Sequence, residues 1–411
     1  MNYVIIGNSI AAVGCVEGIR SVDPDGPITI VGDEPHHVYS RPLISYLLLG
    51  ATDEQRMKFR ADDFYEKNGV RAILGRRAEQ VDSRQKTVTL DDGAVLPYDK
   101  LLLATGSKPF VPPMQGLDQV EKQFTFMTLD SAKALEAAIT PESRVLIVGA
   151  GLIGLKCAEG IADRVAHIDV VDMAGRILPS ILDEEGAQMM QAHIEQHNIH
   201  FYLSDSVAQF TADTATLQSG AQLGFDVVVL AVGVRPNVEL AEQAGCAVDR
   251  GICTDVRCAT TVPDIYAAGD CAKSRDITTG TDRVLALLPN ARMQGMAAGA
   301  NMAGGQSAYD NAIPMNAIGF FGLHIITAGS YDGEALISRK PGVYKKLIVK
   351  DNLLKGMILI GDIKRAGIYT SLIREQTPLD TIDFALIQDH PQLMAFAKKE
   401  RKEKLAGGAD K

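Results

Sequence analysis

The sequence predicts a doubly wound α/β fold, and three observations point to it. The N-terminus carries an apolar strand, a tight glycine turn and a helix, YVIIGNSIAAVGCVEGI. The same unit returns as RVLIVGAGLIGLKCAEGIA, and its first glycine stands 142 positions after that of the first unit. From about Ile313 the chain changes to alternating, strand-like segments. Because strands that alternate with helices form parallel sheets covered on both faces, we expect two Rossmann-like, doubly wound dinucleotide-binding domains and a C-terminal α+β domain.

Length and composition narrow the class of protein. At about 100–200 residues per domain, the 411 residues suggest two to four domains. The hydrophobic fraction of 46% and the charged fraction of 22% are ordinary for a globular chain. A net charge of −10 argues against nucleic-acid binding, and no apolar run reaches the ~18 residues of a membrane span. The first strand begins at Asn2, which leaves no room for a signal peptide, so we expect a cytoplasmic protein.

The second glycine turn matches a dinucleotide site fully. Such a turn needs small residues, so that backbone N–H groups can approach a pyrophosphate at a helix N-terminus. The glycines are Gly149, Gly151 and Gly154. Asp172 ends the next strand, 18 residues after Gly154, where an acid suits the ribose hydroxyls. An acid also repels a 2′-phosphate, so NADH is favoured over NADPH, although Arg176 nearby tempers that preference.

The first turn is less regular. Gly7 is followed by Ser9 and Ala12 where further glycines would stand, and Glu34 at the end of ITIVGDE supplies the acid. Taken alone, this unit is either a dinucleotide site or a strand–turn–helix connection that needs only small residues. The presence of two such units in one chain favours a flavoprotein that is reduced by a nicotinamide cofactor.

The cysteines do not predict a metal site. They are Cys15, Cys157, Cys246, Cys253, Cys258 and Cys271. No two of them have CxxC spacing, and Cys253 and Cys258 lack the second pair that a zinc site requires. We therefore expect reduced, mostly buried thiols and no metal ligands.

Five motifs in order resemble the two-dinucleotide-binding-domain flavoproteins of the pyridine nucleotide–disulfide oxidoreductase superfamily. They are the first turn with Glu34, LLLATGSKP (101–109), GAGLIG (149–154), AVGVRPN (231–237) and YAAGD (266–270). The resemblance covers residues 2 to about 390 and implies that the first unit holds FAD and the second holds NADH.

The resemblance also implies cofactor-binding residues and domain boundaries. The residues are Gly7, Ser9, Ala12, Glu34, Arg41, Pro42, Thr105, Gly106 and Asp270 around FAD, together with Gly149, Gly151, Gly154, Asp172 and Gly233. Asp270 would bind the ribityl chain, and its alternative role is a helix N-cap. The implied domains are an FAD-binding domain (1–112 and 236–312), an NAD(H)-binding domain (113–235), an α+β interface domain (313–390), and a charged helix with a flexible tail (391–411).

The segment VYSRPLISYLLLG (38–50) distinguishes branches of this superfamily. Disulfide reductases carry C-x4-C here and peroxide- or oxygen-reducing relatives carry one cysteine, whereas this segment has none. Its Y-x-R-P-L pattern is similar to rubredoxin reductases, to ferredoxin reductase components of oxygenases and to the flavin-binding part of the nitrite reductase large subunit.

That similarity implies an NAD(P)H-dependent flavoprotein oxidoreductase. It would pass electrons from NADH through FAD to an iron–sulfur or rubredoxin-type protein, or to a partner redox enzyme. The alternatives are an NADH oxidase that uses oxygen and a flavin subunit of a larger redox complex. A homodimer is a further expectation.

Two residues depart from the pattern and are the candidate catalytic residues. Tyr46 stands where several relatives have a lysine near the flavin N5, and Lys156 stands where relatives usually have glutamate. Lys156 is either an exposed helix lysine or a changed charge near the contact between nicotinamide and flavin.

Overall fold

The computed structural model describes residues 1–396, so the predicted charged helix and tail lie outside the described residues from 397 onwards. The chain forms two compact units. The first unit comprises Met1–Ser180, Ala187–Ser274 and Asp282–Asp310. Of the described residues, the second comprises Ile181–Gly186, Arg275–Thr281 and residues 311–396.

The helices and strands alternate through the first unit, and strands dominate the second. The helices are α1 (Ile10–Arg20), α2 (Ile44–Leu48), α3 (Glu54–Met57), α4 (Phe64–Lys67), α5 (Leu129–Ala138), α6 (Leu152–Ile161), α7 (Glu184–Ile194), α8 (Glu239–Gln243), α9 (Leu288–Met302), α10 (Ala366–Glu375) and α11 (Phe384–Asp389). The strands are β1 (Tyr3–Ile6), β2 (Ile28–Gly32), β3 (Val70–Leu74), β4 (Ala78–Asp82), β5 (Thr87–Leu90), β6 (Val95–Pro97), β7 (Lys100–Leu103), β8 (Ser107–Pro109), β9 (Gln123–Thr125), β10 (Arg144–Val148), β11 (His167–Asp172), β12 (Ile199–Leu203), β13 (Val207–Phe210), β14 (Thr214–Leu217), β15 (Gln222–Gly224), β16 (Val227–Leu230), β17 (Val234–Pro236), β18 (Ile265–Ala267), β19 (Lys273–Asp276), β20 (Thr281–Val284), β21 (Met315–Phe320), β22 (Leu323–Gly329), β23 (Glu334–Lys340), β24 (Val343–Lys350) and β25 (Leu353–Ile360).

Two five-stranded parallel sheets organise the first unit. Their strand orders are β18-β7-β1-β2-β3 and β12-β11-β10-β16-β9. The central strands are apolar along their whole length because helices or smaller sheets cover both faces. Every residue of β1 and of β16 is buried, and β10 is buried from Val145 to Val148. The predicted fold class, with two doubly wound dinucleotide-binding sheets, is confirmed.

A short antiparallel ribbon joins the chain segments that follow the two parallel sheets. β8 pairs with β17, with Lys108 opposite Arg235. The Arg235 guanidinium stacks 4.0 Å from the centre of the Phe110 ring. These contacts fix where the chain leaves each sheet, and they bring LLLATGSKP and AVGVRPN side by side.

Helices α1 and α9 pack with their backbones in close approach. A Cβ atom added at Gly14 of α1 would lie 2.3 Å from the Arg292 carbonyl oxygen, and one at Gly299 of α9 would lie 2.1 Å from the Cys15 carbonyl oxygen. The glycines therefore set the separation of these two helices. This packing places the start of α9 against the first glycine turn.

The second unit is an antiparallel sheet covered by α10. The strand order is β21-β22-β25-β24-β23, and Leu347, Met357 and Leu372 belong to the core between sheet and helix. The segment Ile181–Gly186 is tied to this sheet, because Asp183 accepts hydrogen bonds from Tyr344 and Lys346, each at 2.7 Å. The predicted α+β character of the C-terminal region is confirmed. Across residues 1–396, no helix is long and apolar enough to cross a membrane.

Candidate functional site

The two glycine turns have the same backbone geometry. Gly7 has φ of +112° and Gly149 has φ of +119°. The N–H of Gly7 donates to the Val31 carbonyl at 2.7 Å, and that of Gly149 donates to the Val171 carbonyl at 2.8 Å. A Cβ atom at Gly7 or Gly149 would lie 2.0 or 2.3 Å from a carbonyl oxygen of the neighbouring strand. The fold itself therefore requires glycine at both positions, whatever the turns bind.

The later positions of each turn show where a ligand can approach. At Gly151, the N-cap of α6, an added Cβ would meet no heavy atom within 4 Å. Ser9 is the corresponding N-cap of α1 and makes no side-chain cap bond. At Gly154 an added Cβ would lie 2.0 Å from the Gly149 carbonyl oxygen, whereas the first turn accommodates the buried Ala12. The open space at Gly151, at the N-terminus of α6, fits a pyrophosphate.

The two predicted ribose-binding acids, Glu34 and Asp172, do not occupy equivalent positions in their units. The matching hydrogen bonds of the turns align Val31 with Val171, so Gly32 corresponds to Asp172. The prediction that the second strand ends at Glu34 is wrong by two residues, because β2 ends at Gly32, where Asn8 packs against the backbone. Glu34 belongs to the following loop.

Asp172, which was predicted to bind the ribose hydroxyls next to the second glycine turn, hydrogen-bonds to the backbone of that turn. Its carboxylate accepts hydrogen bonds from the backbone N–H of Ala150 at 2.6 Å and of Ala174 at 2.8 Å. Asp172 is half-buried at the carboxyl end of β11. A carboxylate fixed there can accept further hydrogen bonds, since each oxygen has two lone pairs.

Glu34 lies in a small polar network with two residues of the 38–50 segment. Tyr39 donates its hydroxyl to Glu34 at 2.5 Å, and Arg41 donates to the other carboxylate oxygen at 2.5 Å. The Tyr39 oxygen also accepts the N–H of Leu129 at the start of α5. Burial, and then the neighbouring Glu34, raise the pKa of Tyr39 well above its usual value, so Tyr39 stays a neutral donor. Tyr39 was not among the predicted site residues, although it is the tyrosine of the Y-x-R-P-L pattern.

Asp270 is positioned by a turn that α9 supports. Gly269 adopts a left-handed conformation, and its N–H donates to the buried side chain of Gln294 at 2.9 Å. Burial raises the pKa of Asp270, and Arg41 partly offsets this. Within the described part of the chain no donor hydrogen-bonds the Asp270 carboxylate. Strand β19 follows rather than a helix, so Asp270 is not an N-cap. Sequence reasoning did not identify Gln294.

Thr105 follows the end of β7 and Asn237 follows the end of β17, and the two residues are hydrogen-bonded to one another. The Thr105 hydroxyl donates to the Asn237 carbonyl at 2.7 Å, and the Asn237 amide donates to the Thr105 carbonyl at 2.8 Å. Gly106 and Gly233 both have positive φ and border open space. Pro42 is exposed in the 3₁₀ turn Arg41–Leu43.

The two candidate catalytic residues contact one another. The Lys156 ammonium lies 4.2 Å from the centre of the Tyr46 ring and forms an ion pair with Glu159. Only 12% of the Lys156 side chain and 8% of the Glu159 side chain are exposed. The interpretation of Lys156 as an exposed helix lysine is therefore wrong. Helix α2 packs directly on α6, since a Cβ at Gly160 would lie 2.9 Å from the Ser45 carbonyl oxygen.

The thiols are unsuited to redox exchange. All six cysteines are free, and five are buried, with Cys253 half-buried. Burial raises the pKa of Cys15, Cys157 and Cys271, and it raises that of Cys258 to about 12. A thiol held protonated is a poor nucleophile.

The fold and these turns define a flavoprotein-type oxidoreductase with two dinucleotide sites. Residues 1–295 match the family described as pyridine nucleotide-disulphide oxidoreductase, and the chain belongs to that family. Residues 314–377 match the rubredoxin NAD+ reductase C-terminal domain. Members of the family are NADH-dependent flavoprotein oxidoreductases, so the predicted enzyme class, with FAD and NADH as cofactors, is confirmed.

Three comparisons show the range of similar proteins. The chain is 33% identical to the NADH-dependent phenylglyoxylate dehydrogenase subunit epsilon of Aromatoleum evansii, over 92% of each chain. It is 29% identical to the nitrite reductase [NAD(P)H] of Bacillus subtilis over 94% of this chain, and it spans about half of that relative, 49%. The crystal structure of the covalent putidaredoxin reductase–putidaredoxin complex has the same fold, with a TM-score of 0.86, 22% identity, and coverage of 100% of this chain and 99% of that one.

Proposed function

We propose that this chain oxidises NADH through FAD and delivers the electrons to a small iron protein of the rubredoxin or ferredoxin type. The observation that carries the proposal is the absence of cysteine from residues 38–50, combined with buried thiols elsewhere. Without a thiol at the flavin, electrons leave toward an external acceptor. The match of residues 314–377 to a rubredoxin reductase domain supports an acceptor of this type.

The residues around the first turn fit FAD. The N-terminus of α1 at Ser9, with the small buried Ala12 and with Gly7 before it, suits the pyrophosphate, and Glu34 with Arg41 suits the adenosine side. Asp270 is a half-buried carboxylate without a protein donor, which fits a hydroxyl group of the ribityl chain. Pro42, Thr105 and Gly106 complete the predicted lining. Bound FAD supplies the chemistry that accepts a hydride and releases electrons one at a time.

The residues around the second turn fit NADH. Gly151 borders open space at the N-terminus of α6, and Gly149 and Gly154 hold the turn in place. The fixed Asp172 carboxylate would accept the ribose hydroxyls and repel a 2′-phosphate, which makes NADPH the poorer donor. Gly233 borders open space at the end of the neighbouring strand.

Tyr46 and Lys156 act as positioning residues. They join α2, which follows Arg41, to α6, which begins at the nicotinamide turn. A cation held between an aromatic face and a carboxylate fixes the separation of the two helices. These contacts support a role in aligning the two cofactors for hydride transfer, which depends on distance and orientation.

The domain assignment follows the strand membership of the sheets. Strands of the FAD-type sheet come from residues before 112 and from β18 after 236, which supports a discontinuous FAD-binding domain (1–112 and 236–312). All strands of the other sheet lie between 113 and 235, the proposed NAD(H)-binding domain. The proposed interface domain (313–390) contains the antiparallel sheet.

Steady-state NADH oxidation by the FAD-loaded full chain tests the acceptor. We expect fast reduction of ferricyanide, fast reduction of rubredoxin or a [2Fe–2S] ferredoxin, and slow use of oxygen. Oxygen consumption as fast as ferricyanide reduction would favour an NADH oxidase instead.

A second candidate is a flavin subunit of a larger redox complex. The similarity to subunit epsilon, which extends over 92% of both chains, favours it. In that case the isolated chain reduces ferricyanide but neither iron protein, and it co-purifies with partner subunits from its source cells.

A homodimer and a cytoplasmic location are also proposed, the latter because six free thiols suit a reducing compartment. Light scattering after gel filtration tests the dimer.

A further inference from the structure

Three side chains of types that bind metal ions meet at the β12 edge of the sheet β12-β11-β10-β16-β9. His167 and Asp169 are two residues apart on β11 and therefore point to the same face. Asp169 pairs with His200 in the parallel register between β11 and β12. One ligand atom from each of the three residues lies within 4.8 Å of the others. The cluster is a product of strand register, since 31 residues separate Asp169 from His200.

The three side chains are already arranged around a common point. His167 Nε2 lies 2.7 Å from Asp169 Oδ1, and the two imidazole rings lie 4.7 Å apart at an angle of 35°. The Asp169 side chain is 10% exposed and that of His167 is 32% exposed, whereas His200 is exposed. A nearly buried carboxylate thus lies beside two imidazoles, of which that of His200 is exposed.

We propose that His167, Asp169 and His200 form a binding site for a divalent transition-metal ion of the zinc type. Two imidazole nitrogens and one carboxylate oxygen are a ligand set for zinc and similar ions rather than for magnesium or calcium. At metal–ligand distances of ~2.0–2.2 Å, tetrahedral ligand atoms lie roughly 3.4 Å apart. To reach that value, His200 must approach the other two ligands, which now lie within 4.8 Å of it, and the contact of 2.7 Å between His167 and Asp169 must widen. A fourth position stays open to solvent on the His200 side.

Binding would replace the hydrogen bond between His167 and Asp169. Both imidazoles bind the metal in their neutral form, so the ion and protons compete for the cluster. His167 Nε2 and Asp169 Oδ1, which now lie 2.7 Å apart, would each bind the metal ion instead of one another.

The position of the cluster separates it from the cofactor chemistry. His167 begins β11 and Asp172 ends it, so at ~3.3 Å per residue the cluster lies about 10 Å (Asp169) to 16 Å (His167) from the nucleotide end of the strand. An ion there would crosslink β11 to β12 and stabilise the sheet rather than take part in hydride transfer. The proposal is independent of the electron acceptor.

Cobalt titration of the chelator-treated full chain tests the site. We expect one equivalent of Co²⁺ with the visible ligand-field bands of a four-coordinate ion, displaced by Zn²⁺. His200→Ala removes an exposed ligand and should weaken binding by at least roughly 100-fold, since even indirect partners of a metal cost 10–100-fold. His324→Ala changes another exposed histidine and should bind like the unchanged protein.

Zinc should also raise the melting temperature of the unchanged protein and of His324→Ala, but not that of His200→Ala. Circular dichroism confirms that the variants are folded. Absence of cobalt bands in the unchanged protein, or equal bands in His200→Ala, would overturn the proposal. His167→Ala provides a second variant if His200→Ala does not fold.

Discussion

The ammonium group of Lys156 lies 4.2 Å from the centre of the Tyr46 ring, and these are the two residues expected from the resemblance to depart from the pattern of related flavoproteins. One residue lies on α2 and the other on α6, so the contact crosses from the 38–50 segment to the helix that follows the second glycine turn. Glu159 pairs with the same ammonium group. Both departures are therefore parts of one local arrangement.

Lys156→Glu should slow the reduction of the flavin by NADH by about tenfold. The substitution removes the cation–π contact and places a carboxylate beside Glu159, which is almost fully buried. Stopped-flow measurement of flavin reduction checks this, with NADH affinity taken from the concentration dependence. Tyr46→Leu, which removes the ring, should change the rate in the same direction.

Lys133→Glu is the matched control for this experiment. Lys133 pairs with Glu54 at 2.8 Å, but both side chains are well exposed, so the charge reversal there should leave the rate unchanged. Stopped-flow traces of Lys156→Glu that coincide with those of the unchanged protein would contradict the positioning role.

The parts of the site that could be predicted from the sequence are local. The turns at Gly7 and Gly149 were identifiable because a strand, a small-residue turn and a helix are adjacent in the chain. The end of β2 was misplaced, since whether Gly32 or Glu34 ends the strand depends on where its pairing with β3 stops, which is at Gly32 opposite Leu74.

Contacts between distant segments could not be predicted. The pairing of Tyr46 with Lys156 depends on how α2 packs on α6, and the support of Gly269 by Gln294 depends on where α9 lies. Neither follows from periodicity, because helix packing is set by tertiary shape rather than by local sequence. His200 likewise meets Asp169 only through the strand register.

Asp172→Asn should shift the preference between the two nicotinamide cofactors. The catalytic efficiency, kcat/KM, with NADH should fall by about tenfold, since a charged acceptor for the ribose is lost. The efficiency with NADPH should fall less or rise, because the repulsion of the 2′-phosphate disappears.

The ratio of the two kcat/KM values is the measurement that checks this. Asp163→Asn, at an exposed position just after α6, serves as the matched control and should leave the ratio unchanged. A ratio for Asp172→Asn equal to that of the control would show that Asp172 only holds the turn.

Alkylation of the native protein should leave NADH oxidation intact. Five cysteines are buried, and burial raises the pKa of several of them, so N-ethylmaleimide should modify at most Cys253. Intact-mass spectrometry counts the modified thiols, and Cys253→Ser should show none. Loss of activity in step with modification of Cys271 or Cys157 would contradict electron transfer without thiols.

Asp264→Asn should destabilise the protein near neutral pH by about 1 kcal/mol. Asp264 accepts hydrogen bonds from Lys100 and Lys86, each at 2.6 Å, and these two lysines lower its pKa. Asp264 has φ of +68°, a conformation that asparagine also tolerates, so the substitution removes charge without adding backbone strain.

The sign of the pH dependence follows from the lowered pKa. The carboxylate stabilises the folded state above its unfolded pKa of ~3.9, and this contribution is lost as the pH falls through the lower folded-state pKa. The difference in the free energy of unfolding between the unchanged protein and Asp264→Asn should therefore be constant above about pH 5 and shrink toward zero in acid. Urea unfolding at a series of pH values measures this difference.

Asp351→Asn, at an exposed turn with φ of +52°, is the control and should change the free energy of unfolding by less than about 0.5 kcal/mol. A difference for Asp264→Asn that grows as the pH falls would contradict the stabilising role of the two lysines.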